Sequence, residues 1–394
     1  MKRNIWIINE YAGSPSHGME FRHYYLAREF LKYDFNVTII SSTYSHLFKN
    51  LPKKGKEQIN DVNYLWLKTF NYGQSHNRKR VLKWILFTLK IFSLPFKLKK
   101  PDVIIVSPMA TFPIFPSWLI AKIYGAKLIF EVKDIWPLSL VKLGGFSPNH
   151  PFIRLMKFFE NFALKKSDYI VSNLQNYNKY LEKNGINREF KWISNGIDLT
   201  EMKEIEPISS QLENLIPKDK FIVGYTGTIG TANAIDSFLA SYQYLKNDDI
   251  VFVLIGDGQE KDKLMLKYKS KNILFFNSIP KRQIQTVLNH FDICFIGWNR
   301  KDLYKYGISA NKIFDYMYSG KPILNAFSGG ENILDIADCG ITIEAENPNE
   351  IANGILTFYN MPIDERLKIG KNGRDYVINH FTYEKLSKEY ISLF

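Results

Sequence analysis

The residues best suited to chemistry lie mostly in the second half of this 394-residue chain. Gly224-Tyr225-Thr226-Gly227-Thr228-Ile229-Gly230 follows an apolar run at 221–223, and Gly256-Asp257-Gly258 follows another at 250–255. Glycines behind a strand let backbone N–H groups approach a phosphate, and the next helix adds its positive end. A third segment, Ser309-Ala310-Asn311-Lys312-Ile313-Phe314-Asp315-Tyr316-Met317, leads to Gly320-Lys321-Pro322. Ser309 is a candidate N-cap, which predicts a helix over 310–318 closed at Gly320. Lys312 then sits in the first turn, where the helix dipole disfavours a cation unless an anionic ligand occupies that end. Asp315, at i+3, can share its face, either as a second ligand group or as an ordinary surface ion-pair partner.

The first half offers less specific chemistry. Residues 9–18, Asn9-Glu10-Tyr11-Ala12-Gly13-Ser14-Pro15-Ser16-His17-Gly18, follow the first strand but are not GxGxxG, which removes the main support for a nicotinamide enzyme. This long loop reads as a flexible wall above the sheet or as a surface turn. Asp134, after the run 127–132, reads as a functional carboxylate or as a turn cap. From Arg78 to Lys100 the chain has eight basic residues, no acid, and Trp84, Phe87, Phe92 and Phe96 among aliphatics. That composition fits a helix lying on anionic lipid, or a core-facing helix with a basic flank.

The elements that must position these groups follow from hydrophobic patterning. Short β-branched or aromatic runs at 5–9, 37–42, 64–67, 103–107, 127–132, 169–172 and 192–194 alternate with amphipathic stretches such as 20–33 and 152–165. A second cycle runs through 221–225, 250–255, 273–276, 293–297, 322–325 and 341–343. Near-continuous apolar strands alternating with helices predict two parallel sheets, each covered on both faces. The acidic, polar stretch 200–220, with Pro207 and Pro217, is the seam. The predicted domains are 1–198 and 199–374, with a last helix at 375–394 returning to the first. Two doubly wound domains bind ligands at the carboxyl ends of their strands, facing across a cleft.

Bulk properties narrow the function. Residues 1–200 hold 30 Lys/Arg and 14 Asp/Glu (+16), whereas 201–394 hold 22 and 25 (−3), giving the net +13. The basic half implies an acidic partner, and with no nucleic-acid-binding motif present an anionic membrane surface or a phosphorylated substrate fits best. Cys294 and Cys339 sit in apolar segments without metal-ligand spacing, as expected for buried thiols of a reducing compartment. No export signal is visible, and the uncharged stretch 103–121 is broken by Pro108, Pro113 and Pro116 into a strand, loop and helix.

In order and spacing, Asp134-Ile135-Trp136-Pro137, Asn195-Gly196-Ile197-Asp198, the loop Gly227–Gly230, Ile255-Gly256-Asp257-Gly258 and Lys312…Asp315…Gly320-Lys321-Pro322 resemble the family-four retaining glycosyltransferases of the GT-B fold. The closest similarity is to the bacterial O-antigen and capsule branch, including N-acetylfucosamine-transferase-like members. The resemblance implies that Asp315 holds the nucleotide ribose, and that Gly227, Thr228, Gly230, Gly256, Ile279, Asn311 and Lys312 line the nucleotide-sugar donor site. Lys312 would steady the departing diphosphate, with Lys281 and Arg282 as alternatives. His17, Gly18 and Arg22 would lie on the acceptor side, and Asp134 would orient or deprotonate the acceptor. The family's first acid falls at Gly307.

The implied function is transfer of a sugar from a UDP-linked donor to a lipid-linked glycan at the inner face of the cell membrane. No metal or other cofactor and no nucleic acid are expected. A nucleotide-sugar epimerase of the same fold and a catalytically silent sugar-binding subunit are the alternatives.

Overall fold

The computed structural model describes residues 2–18, 21–73, 77 and 79–394. Arg78 and Glu20, expected to open the basic-apolar segment and the first helix, lie outside the described residues. The chain forms two compact units, residues 1–194 with 383–394, and residues 195–382.

The first unit is built on β1 (Asn4–Ile8), β2 (Asn36–Ser42), β3 (Gly55–Ile59), β4 (Val62–Leu67), β5 (Val103–Val106), β6 (Lys127–Val132), β7 (Tyr169–Ser172) and β8 (Lys191–Trp192). Their order is β3-β4-β2-β1-β5-β6-β7-β8, parallel throughout except for the β3–β4 pair. The second unit holds β9 (Phe221–Thr226), β10 (Ile250–Ile255), β11 (Ile273–Phe276), β12 (Ile293–Gly297), β13 (Ile323–Ala326) and β14 (Gly340–Ile343). It is parallel throughout, in the order β11-β10-β9-β12-β13-β14. Strand order reverses at β1 and at β9, so the loops that follow those two strands open at the ligand-binding edge of each sheet.

Apolar continuity predicted the central strands well because both faces are covered. β5, β9, β10 and β12 are buried at every position. In the second unit, Phe238 stacks on Phe252 and Phe295 at centroid distances of 4.4 and 4.1 Å. β3, with sequence Gly-Lys-Glu-Gln-Ile, was not anticipated. It is an antiparallel edge strand with half-exposed and exposed positions alternating up to buried Ile59, so it carries no apolar run.

The return to the first unit starts later than residue 375. Helix Ile363–His380 stays with the second unit because Gly370 and Gly373 let it lie against the turn at Gly320 and against Cys339. A Cβ at Gly370 would stand 1.9 Å from the Gly320 carbonyl oxygen. Helix Tyr383–Ile391 then joins the first unit, where Tyr383 stacks on Tyr25 at 4.8 Å.

A buried polar knot fastens that last helix. Arg22 Nε donates to Glu131 Oε1 at 2.9 Å and its NH2 donates to the Ile193 carbonyl at 2.7 Å. Tyr390 hydroxyl also donates to Glu131, and Arg22 NH1 to the Ser194 carbonyl. His23 Nε2 lies 2.7 Å from Glu131 Oε2, and Asn9 Nδ2 lies 3.1 Å from His23 Nδ1. Burial favours neutral His23, with Nε2–H donating to Glu131 and Nδ1 accepting from Asn9. Burial alone would raise the Glu131 pKa, yet Arg22 and His23 hold it well below the usual carboxylate range. The sign is that of a depressed carboxylate: its contribution is present above the ordinary range and lost as pH falls through the folded value.

Glu131→Gln should therefore destabilise the protein by about 3–5 kcal/mol, because it leaves the buried Arg22 guanidinium unmatched. Urea unfolding at pH 7 measures this, and the deficit should shrink in acid.

Candidate active site

The two glycine loops of the second unit interlock backbone to backbone. Gly227 N–H donates to the Ile255 carbonyl at 3.0 Å, and Ile229 N–H to the Asp257 carbonyl at 2.9 Å. A Cβ on Gly256 would stand 1.8 Å from the Gly227 carbonyl oxygen, and one on Gly258 would stand 2.0 Å from that of Ile229. Only glycine permits this approach. Asp257 is drawn down to about 2 by hydrogen bonds from Ser278 and Lys261, so it is a fixed anion pinning the loop to the turn after β11.

The predicted helix is present as Asn311–Ser319, closed by Gly320 with φ 72°. Ser309 is not its cap: the N-cap is Ala310 with no side-chain bond, and Ser309 instead accepts from the Asn195 backbone N–H at 3.3 Å. Tyr316 fixes the helix's rotation. Its buried hydroxyl accepts from Thr226 N–H at 2.7 Å and donates to the Thr226 carbonyl at 3.1 Å. Lys312, one turn earlier on the same face, is thereby aimed at the glycine loop.

Lys312 Nζ donates to Tyr225 hydroxyl and to Asn233 Oδ1, both at 2.8 Å, and lies 4.4 Å from the centre of the Tyr225 ring. A Cβ on Gly227 would stand 3.2 Å from this nitrogen, so glycine makes room for the ammonium as well as the backbone. Tyr225 hydroxyl in turn donates to the Thr228 carbonyl at 2.7 Å, and Asn233 Nδ2 donates to the same oxygen at 2.9 Å. Burial without a carboxylate partner lowers Lys312 to about 7. The ammonium is held by neutral groups beside a helix N-terminus, a place that an anion would complete.

Lys312 and Asp315 do not pair with each other. Asp315 is buried, and Lys281 Nζ donates to both its oxygens at 2.5 and 2.6 Å. Lys281 therefore serves the carboxylate and not the glycine loop, while Arg282 reaches outward to Glu204 and Glu206. Thr228 and Asn311 are exposed, whereas Gly230 and Ile279 are half-buried. Gly307 has φ 109°, so the turn preceding the helix is shaped for glycine where the family pattern has an acid. Tyr225, Asn233 and Tyr316 were not singled out from sequence. Two of them lie inside the glycine loop and its following turn, and the third is at i+4 from Lys312.

In the first unit, the loop after β1 is packed inward and is not a simple surface turn. Residues 9–14 are buried and tied down by Tyr64 hydroxyl to the Gly13 carbonyl, Ser41 to that of Ala12 and Ser42 to that of Glu10, at 2.8–2.9 Å. His17 is buried, bonded to Ser14 Oγ at 2.8 Å and tilted against Trp66. Gly18 has φ 124°, and a Cβ there would press on Lys49 N at 2.9 Å. Arg22, expected on the acceptor side, spends its guanidinium inside the domain on Glu131 and main-chain carbonyls. Asp134 stands exposed, two residues beyond β6.

Helix Lys79–Ile91 divides residues 78–100 more sharply than composition implied. Lys83, Trp84, Phe87 and Ile91 are buried, and Arg80 Nε donates to Tyr11 hydroxyl at 2.9 Å. Trp84 and Phe87 are thus unavailable to a membrane. Leu82, Ile85, Leu89, Phe92 and Phe96 are exposed, the last at 91%. Leu82, Ile85 and Leu89 recur every three or four residues as an outward stripe of the helix, and Phe92 and Phe96 lie beyond its end. Among the described residues no helix is long and apolar enough to cross a membrane.

Two family profiles cover most of the chain: "Glycosyltransferase Family 4" matches residues 16–201, and "Glycosyl transferases group 1" matches 209–376. An uncharacterised glycosyltransferase of Methanocaldococcus jannaschii is 23% identical over 321 residues, covering 78% of this chain and 79% of that protein. Among solved structures, sucrose-phosphate synthase from Thermosynechococcus elongatus aligns over 100% of this chain and 98% of its own, with TM-score 0.76 and 15% identity. Anabaena HepE, in complex with UDP and glucose, aligns over 100% and 99% with TM-score 0.68 and 13% identity. At these identities the structures establish a shared fold.

The depressed Lys312 pKa carries a testable sign. From pH 10.5 down to about 7 the unfolded chain holds a proton on this residue that the folded chain releases, so stability should rise with pH across that window. Lys312→Met should flatten this rise in thermal melts taken at several pH values.

Proposed function

We propose, for a chain that belongs to the superfamily of group 1 and family 4 glycosyltransferases with the GT-B fold, that its donor is a UDP-linked sugar and its acceptor a lipid-linked or growing surface glycan. The supporting observation is Lys312, an ammonium without a carboxylate partner among the described residues, set in the Gly227 loop at the start of helix Asn311–Ser319. A diphosphate there would meet Lys312, the helix N-terminus and the backbone N–H groups of Thr228 and Gly230, which the clasp between the loops leaves over. These groups oppose the charge that grows on the phosphate as the glycosidic bond breaks. Asp315 would accept the ribose hydroxyls. A carboxylate has lone pairs enough to keep Lys281 as well, so the existing pair orients the carboxylate instead of blocking it.

The proposed reaction retains anomeric configuration by front-face attack, with the leaving phosphate drawing the acceptor proton and Asp134 orienting the acceptor hydroxyl. It uses no metal, since Lys312 and the helix end supply the positive potential. The adjacent acids Asp248 and Asp249 precede β10, at the end of that strand away from the glycine loops, and pair with Lys271 and Lys220. Membership of the bacterial O-antigen and capsule branch, and work at the inner membrane face, belong to the same proposal. The helix stripe of Leu82, Ile85 and Leu89, with exposed Phe92 and Phe96 after it and Lys79, Lys90, Lys97, Lys99 and Lys100 around them, fits an interfacial surface. A soluble-substrate epimerase has no need of such a stripe.

Calorimetry in EDTA should show UDP binding to the wild type and about 10- to 100-fold weaker binding to Asp315→Ala. Charge-assisted hydrogen bonds of about 1.5–3 kcal/mol each set that range. Unchanged affinity in the folded variant would remove the ribose assignment.

The wild type should also co-sediment with phosphatidylglycerol-containing vesicles at low salt. Replacing Leu82, Ile85, Leu89 and Phe96 with Ser should release it while its melting temperature shifts little, because these side chains face solvent. Wild-type protein left in the supernatant would overturn the membrane assignment.

A further inference from the structure

The chain enters the second unit at Asn195-Gly196-Ile197-Asp198, a motif to which the donor site as described gives no role. With acids at Asp198, Glu201, Glu204 and Glu206, the stretch up to Pro207 has the composition of a solvated connector, yet it is fastened at both ends. Buried Asn195 donates from Nδ2 to the Ser309 carbonyl at 2.7 Å, beside the bond from its own N–H to Ser309 Oγ. Ile197, Met202 and Ile208 are buried, and Ile197 N–H donates to the Phe381 carbonyl at 2.8 Å. At the far end Glu206 N–H donates to the Arg282 carbonyl at 3.0 Å, and the Glu206 carbonyl accepts from Thr286 Oγ1 at 2.6 Å. Gln283 Nε2 donates to the Pro207 carbonyl at 3.0 Å.

Both fastenings lead to the charged groups of the donor site. Ser309 stands in the turn that opens the Lys312 helix, which has no side-chain cap of its own, so Asn195 supplies the hold that a cap would give. The residues that grip Glu206 and Pro207 belong to the turn Lys281–Gln283 and the helix Ile284–Asn289. The same piece holds Asp315. Lys281 pairs with its carboxylate, and buried Gln285 donates from Nε2 to its main-chain carbonyl at 3.0 Å. Residues 281–286 are thus a bracket that ties the connecting segment to the carboxylate. The ion pairs of Arg282 with Glu204 and Glu206 are exposed and add little, so the bonds to main chain carry the hold.

We propose that residues 195–207 are a working part of the donor site, with Asn195 and Thr286 as positioning residues that set Lys312 and Asp315 for the nucleotide. The coupling is reciprocal: a nucleotide that fixes Asp315 from the ligand side also tightens the bracket on Glu206. The assignment rests on the donor reading and extends it from the groups that touch the nucleotide to the chain that aims them.

Calorimetry with UDP, and hydrogen exchange by mass spectrometry over peptides covering residues 197–208, test this on the full chain. Thr286→Val keeps the shape and removes the hydroxyl. It should bind UDP about 3- to 10-fold more weakly, the size of one net hydrogen bond, and Thr286→Ser should restore the affinity. Asn195→Ala should weaken binding to a similar degree. Saturating UDP should slow exchange at residues 204–207 of the wild type and leave it unchanged in Asp315→Ala, where the carboxylate end of the link is gone. The proposal falls, with the donor site left standing, if the wild type binds UDP and folded Thr286→Val binds it equally well. It falls in the same way if exchange at 204–207 does not slow, or slows as much in Asp315→Ala. Failure of the wild type to bind UDP would overturn the donor reading and this proposal together.

Discussion

Everything at the candidate donor site depends on one steric permission: the missing side chains at Gly256 and Gly258 let two loops touch main chain to main chain. Any Cβ there would overlap the carbonyl of Gly227 or Ile229. With that approach allowed, β9 and β10 end in a double hydrogen-bonded clasp, and the clasp holds Tyr225 and Asn233 where they receive Lys312. Tyr316 then locks the neighbouring helix to the end of β9, so the ammonium cannot rotate away with its helix. The result is a cation raised beside a helix N-terminus and stabilised by neutral oxygens alone. Such a group costs stability when empty and repays it when an anion arrives, which is the energetic pattern expected of a preorganised site.

The first unit solves a different problem with opposite means. It must hold a terminal helix that is far away in sequence, and it uses a fully buried charge cluster of Arg22, Glu131, His23 and Tyr390. Each charge there is answered. Glu10 and Lys83, buried in the same unit, have no hydrogen-bond partner among the described residues. The second unit likewise keeps its paired charges, Asp315 and Lys281, apart from Lys312.

Much of the architecture was legible because the central strands are apolar at every position and the glycines mark their ends. β3 was not, because an exposed edge strand has no core to declare itself. The helix carrying Lys312 was predicted to within a residue, yet its side-chain directions were not. Spacing allows Lys312 and Asp315 to share a face, whereas the contacts of Tyr316 with Thr226 and of Lys281 with Asp315 turn them to different partners. Arg22 shows the same limit: the family resemblance put it on the acceptor side, and only Glu131, more than a hundred residues away, reveals its structural use. Composition left residues 78–100 open between a helix on anionic lipid and a core-facing helix with a basic flank. The fold divides them, burying Lys83, Trp84 and Phe87 and leaving Leu82, Ile85 and Leu89 outside.

The most direct test of the account is a crystal structure of the protein with UDP. The diphosphate should lie within hydrogen-bond distance of Lys312 Nζ and the backbone N–H groups of Thr228 and Gly230, with the ribose hydroxyls on Asp315. A nucleotide bound elsewhere, with Lys312 still held only by Tyr225 and Asn233, would contradict it.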